Sequence, residues 1–358
     1  MDSSLEMELK RRNDEKRSIK YFMRKLVYIG FSFDHHSQTH GGYHQIFDYV
    51  SYDYKIDCSH FINKVNKKTD NLLLRIVRHL LRRMTSRPVI PWFVLKCIWL
   101  GLTRSDLTFH FIYGENSYYN IKPYIRSGNK VVCSFHQPVE WFYANCWVNR
   151  LKQIDEIILV GGKDLQYFQT ITGKNNVSYI PHGIRTDFYC PDVTIKKEYM
   201  ILTVGNWLRD YEFADKVYQQ LLKDDHNLRI VVVALPQHLD CLNDNPRIQR
   251  CSGISDEKLR DLYQRCSLLF LPLKRYTANN SLLEASACGC NIVIASDSHD
   301  NSYIPANYLT MCSMDVKETI SAIKKTMSVS VNINLVKYIQ QKYSWEIIGK
   351  MIDNKIRW

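Results

Sequence analysis

The chain has 358 residues, 45% of them hydrophobic and 23% charged, with a formal charge of +12. That length exceeds one ordinary core and predicts two domains, and the composition excludes a disordered chain. The positive excess favours an anionic partner: nucleic acid, a phosphorylated small molecule or an acidic membrane face.

In chain order, residues 1–24 are a charged extension with no apolar leader segment. The run KLVYIGFSF (25–33) predicts a strand, followed by HHSQTHGGYH. Gly41 and Gly42 precede the helix-like YHQIFDYV and would let backbone N–H groups approach a phosphate closely. His40 and His44 have helical spacing, but the glycines break that helix, and no Cys or acid completes a metal set with His35 and His36. Residues 71–104 carry seven Lys/Arg and no acid. Within them, 73–84 pattern as an amphipathic helix, with Leu73, Ile76, Val77, Leu80 and Met84 opposite Arg75, Arg78, His79, Arg82 and Arg83. Two readings stay open for this helix: a core element with a charged outer face, or docking on anionic lipid headgroups. The apolar stretch 89–102 is too short for a bilayer span and contains Lys96.

Further strands are predicted at 130–136, 156–162 and 176–184, then at 199–207, 228–236, 247–254, 267–273 and 291–296. Most are continuously apolar, as parallel strands covered on both faces must be. Helical patterns alternate with them, such as 210–224 and 255–266, the latter starting on Ser255 with acids in its first turn. The polar stretch 189–198 reads as a linker. The fold class is α/β: two doubly wound, Rossmann-like parallel-sheet domains facing a cleft. Ligands in such sheets bind beyond the carboxyl ends of the strands, where HQPVEW, GGKD, GNWLRD, LKRYTANN and DSHDN fall. Eleven scattered cysteines, odd in number and without a C-x-x-C pair, read as free thiols of a cytoplasmic protein.

The order of these segments resembles the two-domain nucleotide-sugar-dependent glycosyltransferases of the GT-B fold, especially the retaining family 4 group. YIPHGIRTDFYCP, with His182, is similar to that family's interdomain signature. ILTVGNW, with Gly205 and Asn206, is similar to the first strand and glycine of its second domain. The segment from Ile254 to Ser296 resembles its donor site, and YSWEIIGKMI its C-terminal helix that crosses back to the first domain. The resemblance covers roughly residues 26–352 and is strongest over 176–297. It implies an acceptor-binding domain at 1–188, a nucleotide-sugar-binding domain at 189–340 and a crossover helix at 341–358.

It also implies roles. Asn279, Asn280 and Ser281 start a helix whose free N–H groups form an anion site, and Glu284, one turn inside, accepts both ribose hydroxyls. Gly42, Gly205 and Asn206 lie beside the donor, while Arg209 and Lys274 supply cations for its diphosphate. The plainer alternatives are a solvated first-turn acid at Glu284 and a surface lysine at Lys274. His136 matches the family's first-domain histidine and is the catalytic candidate, through orientation or general-base assistance. His40, Gly41, Glu140, Trp141 and His182 shape the acceptor side of the cleft. One departure stands out: the family carries a second Glu eight residues before the first, where this chain has Tyr276, and Ala278-Asn279 replaces the usual Phe-Gly.

The implied reaction is hexosyl transfer with retention, from a nucleotide-diphosphate sugar to a free or lipid-linked saccharide hydroxyl. It would serve surface polysaccharide or lipopolysaccharide synthesis, without a metal or other cofactor, on a cytoplasmic protein peripheral to the inner membrane face. A sugar-nucleotide epimerase and a non-catalytic sugar-nucleotide-binding relative remain alternatives, the latter because of Tyr276. A nucleic-acid-binding protein fits the charge, but no RNA-binding aromatic signature or zinc-finger spacing occurs, so no nucleic-acid partner is expected.

Overall fold

The structure is a computed structural model and describes residues 23–33, 40–61, 91–173, 175–275, 279–298 and 304–357. The extension through residue 22, the 73–84 basic pattern, His35, His36 and Tyr276 lie outside the described residues.

Twelve strands form two six-stranded sheets in which every pairing is parallel. The first contains β1 (Lys25–Gly30), β2 (Tyr54–Asp57), β3 (Leu107–Phe111), β4 (Lys130–Phe135), β5 (Glu156–Leu159) and β6 (Val177–Tyr179), in the order β2-β1-β3-β4-β5-β6. The second contains β7 (Glu198–Val204), β8 (Arg229–Val233), β9 (Ile248–Cys251), β10 (Cys266–Pro272), β11 (Asn291–Ala295) and β12 (Thr310–Cys312), in the order β12-β11-β10-β7-β8-β9. The strand order reverses between β1 and β3 in one sheet and between β7 and β10 in the other. At those two switch points the loops diverge and open a crevice.

Among the described residues are nine α-helices of six or more residues: α1 (Trp92–Thr103), α2 (Val139–Ala144), α3 (Leu165–Thr172), α4 (Tyr211–Asp224), α5 (Asp256–Arg265), α6 (Asn280–Ala287), α7 (Val316–Met327), α8 (Ile333–Tyr343) and α9 (Trp345–Arg357). Strand alternation divides the second domain's core in two. Met200, Leu202 and Val204 pack with apolar residues of α5, α6 and α8, while Ile201 and Ile230 pack with those of α4 and α7. Side-chain caps start five of these helices. Asp210, Ser255, Asn279, Asp315 and Asn332 each accept the N–H three residues on, at 2.9, 3.3, 3.2, 2.9 and 3.2 Å.

The strand predicted over 176–184 is only Val177–Tyr179. Pro181 has no N–H to continue the ladder, and the chain instead leaves the first sheet there. Ile180 packs in the first core, whereas Ile184 and Tyr189 pack in the second, so the crossing precedes the polar stretch 189–198 rather than lying within it. The return crossing lies alongside. Ile184 donates to the Tyr343 carbonyl at 2.8 Å and accepts from Trp345 N–H at 3.2 Å. Helix α9 then buries Trp345, Ile348, Ile352 and Ile356 in the first domain's core, at the spacing of one helical face.

Gly349 makes that docking close. A Cβ there would lie 2.5 Å from the Tyr49 carbonyl oxygen, which belongs to the backbone and cannot swing aside. Alanine gains about 1 kcal/mol of helix propensity over glycine, but forced overpacking costs about 1–3 kcal/mol. Gly349→Ala is therefore expected to lower the thermal midpoint; an unchanged or raised midpoint would show that α9 docks less tightly than described.

Candidate active site

The second-domain switch point is built from the loop after β7 and the start of α6. Gly205 has φ 116°, a conformation that suits glycine, and Leu208 is held in the left-handed region at φ 57°. This turn is stitched to β10: Asp210 N–H donates to Pro272 at 2.9 Å, and Lys274 N–H to Leu208 at 3.0 Å. Asn206 fixes the neighbouring loop, its side-chain oxygen accepting Leu235 N–H at 2.7 Å.

Arg209 occupies the middle of this arrangement. Its Nε donates to Val204 O at 3.2 Å and Nη1 to Trp207 O at 2.8 Å; Nη2 donates to Asn279 Oδ1 at 3.1 Å and Ser281 Oγ at 2.9 Å. A guanidinium has five N–H groups, so these bonds leave one for a ligand. The expected bidentate phosphate fork is thus spent on the protein. What Arg209 does in this geometry is tie the N-terminus of α6 to the end of β7. Lys274 is more exposed and sits 3.5 Å from Asp210.

Asn279 is buried and Asn280 half-buried at the first turn of α6. Ser281 Oγ lies 2.8 Å from Asn279 Oδ1. By position the first N–H groups of a helix lack intrahelical partners, and the helix dipole adds positive potential there. Glu284 lies one turn inside, buried, its Oε2 accepting from the Tyr263 hydroxyl at 3.1 Å. Burial pushes its carboxyl up to about 8, with Asp256 adding to the rise and the Tyr263 hydrogen bond opposing it. A first-turn acid in water is excluded by this burial.

In the first domain, His136 follows β4 and its ring is held between Tyr43, at 4.7 Å between centroids, and Tyr113, at 4.6 Å. Its Nδ1 lies 3.4 Å from Glu115 Oε1, and the same carboxylate oxygen accepts the His136 backbone N–H at 3.2 Å. Glu115 is buried, and its Oε2 has no hydrogen-bond partner among the described residues. A carboxylate on Nδ1 favours the tautomer that leaves the lone pair on Nε2. Sequence reasoning missed Glu115. It follows β3 at the first switch point, and β3 was not recognised.

His182 is buried against the same cluster, 5.4 Å from Tyr43 and 5.2 Å from Trp345 between ring centroids. Its Nδ1 lies 2.5 Å from Gly183 O. Gly42, at φ 94°, caps the short helical turn Tyr43–Asp48, and Gly41 O accepts from Gln45 at 3.3 Å. Trp141 packs on Phe142 and Trp147 of the first core.

Polar contacts join loops of the two domains across the cleft. His40 of the first domain hydrogen-bonds Asp256, at the N-terminus of α5, through its backbone N–H, with Nδ1 3.2 Å from the same carboxylate. Its ring stacks on Phe188 at 3.7 Å. Glu140 pairs with Arg275 at 2.5 Å, and Lys163 donates to Ser298 at 2.8 Å. Burial resists ionisation of Glu140, but the Arg275 guanidinium and backbone donors outweigh it and hold the carboxyl below its ordinary value. Arg275 also lies 3.7 Å from Asp164. It is a second cleft residue that sequence reasoning did not single out. Among the described residues, no group of three or more His, Cys, Asp or Glu is placed to hold a metal.

Two switch-point loops facing each other across a cleft, with a terminal helix returning to the first sheet, define the GT-B fold. Solved structures share it. A glycosyltransferase from Rickettsia africae superposes with a TM-score of 0.62 at 11% identity, covering 93% of this chain and 98% of its own. A sucrose-phosphate synthase from Thermosynechococcus elongatus gives 0.62 at 12%, covering 92% and 98%. Anabaena HepE, solved in complex with UDP and glucose, gives 0.61 at 13%, also covering 92% and 98%. Residues 198–328, from β7 to the C-cap of α7, match the model of the family described as glycosyl transferases group 1. Together these likenesses support a GT-B glycosyltransferase. No curated protein matches the chain.

Proposed function

We propose that the protein transfers a hexosyl group, with retention, from a nucleotide-diphosphate sugar to a saccharide hydroxyl. The acceptor would be a free or lipid-linked saccharide and the product a surface polysaccharide or lipopolysaccharide. The observation that carries this reading is Glu284: a buried carboxylate one turn inside a helix that opens on the β7/β10 switch point. Ribose hydroxyls would donate to it beside Tyr263, and the diphosphate would lie against the first turn of α6, with Lys274 as the nearby cation. Arg209 positions that turn, and His136, held by Glu115, faces the sugar. The match to glycosyl transferases group 1, and a structural relative solved with UDP and glucose, support this choice of donor. The diphosphate is neutralised by these groups without a metal, so full transfer in the presence of a chelator is the expected result.

Thermal-shift measurements against UDP, GDP, ADP, CMP and their sugars, with single-stranded RNA beside them, test the reading. Stabilisation by one nucleoside diphosphate and its sugar is expected. Stabilisation by RNA alone would refute it. Binding of the sugar nucleotide with no product from any saccharide acceptor would instead favour the epimerase or the non-catalytic relative.

A further inference from the structure

Helix α1 is apolar on two sides, and among the described residues only one is covered. Phe93, Val94, Cys97, Leu100 and Gly101 face the first core, where a Cβ on Gly101 would meet Ile125 at 2.4 Å. The other side presents Trp92, Leu95, Trp99 and Leu102 to solvent, each between 53% and 63% exposed. Their spacing of three, four and three residues places them along one stripe of the helix. Tyr124, in the turn Lys122–Tyr124 packed beside α1, is 60% exposed. Scattered exposed apolar residues are ordinary, but a contiguous stripe with two tryptophans marks an interaction surface.

The charge around the stripe identifies the partner. Residues 91–104 contain Lys96 and Arg104 and no acid; Lys96 is exposed beside the stripe, while the Arg104 guanidinium lies on the Tyr54 ring at 5.1 Å. Lys96 lies over the Trp92 ring at 5.6 Å, and Arg126 follows Tyr124 on the same exposed rim. The twenty residues preceding Pro91 in sequence add five arginines and no acid. Tryptophan and tyrosine favour the boundary between headgroups and hydrocarbon, while lysine and arginine favour anionic headgroups. None of the described helices is long and apolar enough to cross a membrane, so the geometry is that of a helix lying on one.

We propose that α1 docks the protein on an anionic phospholipid surface, with Trp92, Leu95, Trp99 and Leu102 inserted into the interface and Lys96 on the headgroups. The surface lies beside β2, at the edge of the first sheet. It stands independently of the transfer reading.

The test is co-sedimentation of the full chain with vesicles of phosphatidylcholine, with or without phosphatidylglycerol, for wild type, a Trp92→Ser/Trp99→Ser variant and Lys96→Glu. Wild type is expected on the anionic vesicles, with its tryptophan emission quenched by brominated lipid. The double variant should lose at least about tenfold in partitioning and most of that quenching, with an unchanged thermal midpoint. Lys96→Glu should weaken binding to the anionic vesicles selectively. Equal partitioning of wild type and the double variant would overturn the proposal. So would a wild-type dimer, seen by light scattering, that the double variant converts to monomer while neither protein binds vesicles.

Discussion

Glu284→Gln is expected to make the free protein more stable at neutral pH and to abolish its response to nucleotide. The carboxyl titrates near 8 in the folded protein against an ordinary 4.5. The native state therefore keeps a proton that the unfolded chain has already released, and its stability falls as pH rises from 4.5 towards 8. Below 4.5 both states are protonated and the penalty disappears. At pH 7 the wild-type penalty is on the order of 3 kcal/mol, and glutamine, which keeps the shape and still accepts from Tyr263, removes it. Thermal midpoints of the two proteins should converge at acid pH and separate in favour of the variant above neutrality. Binding draws the proton off at a cost of about 1.4 kcal/mol at pH 7, and two ribose hydroxyls on the resulting carboxylate return several kcal/mol, so nucleoside diphosphate affinity should fall by about a hundredfold in the variant. A variant that is less stable at every pH, or that binds nucleotide normally, would remove Glu284 from the site.

His136→Ala is expected to lower kcat by at least about a hundredfold while leaving the affinity for the nucleoside diphosphate nearly unchanged. The imidazole sits in the first domain, across the cleft from the proposed ribose and phosphate site, so its loss should appear in turnover. Glu115→Gln keeps the shape of the buried side chain but removes its charge and tautomer preference; a loss of about tenfold in kcat is expected, again at unchanged nucleotide affinity. A merely structural Glu115 would lower the thermal midpoint and leave kcat per folded molecule intact. Full turnover in both variants would move the chemistry elsewhere.

The parts of the fold that were legible in the sequence are those whose burial is uniform. β7, β8, β10 and β11 are covered on both faces and read as unbroken apolar runs. β2 was missed because it is a four-residue edge strand with one fully buried position, Ile56. β3 was missed for a different reason. Its Thr108 and His110 look like loop residues, yet both are fully buried. His110 is satisfied there by Tyr52 at 2.7 Å and Ser134 at 2.8 Å, and burial lowers its pKa to about 3, so it stays neutral.

That omission propagated to the site. Without β3 the first switch point was invisible, and with it Glu115. The helix start that carries Glu284 was legible because the residues around it are consecutive. The Glu140–Arg275 pair was not, because its partners are far apart in sequence and meet only when two sheets face each other. Arg209 shows the opposite limit: the residue was recognised, but only the fold shows that its donors turn inward.

A crystal structure with the nucleoside diphosphate that stabilises the protein tests the central claim most directly. Both ribose hydroxyls should lie within hydrogen-bonding distance of the Glu284 carboxylate, and the diphosphate over the first turn of α6 between β7 and β10. A nucleotide seated in the first domain, or a ribose turned away from Glu284, would contradict it.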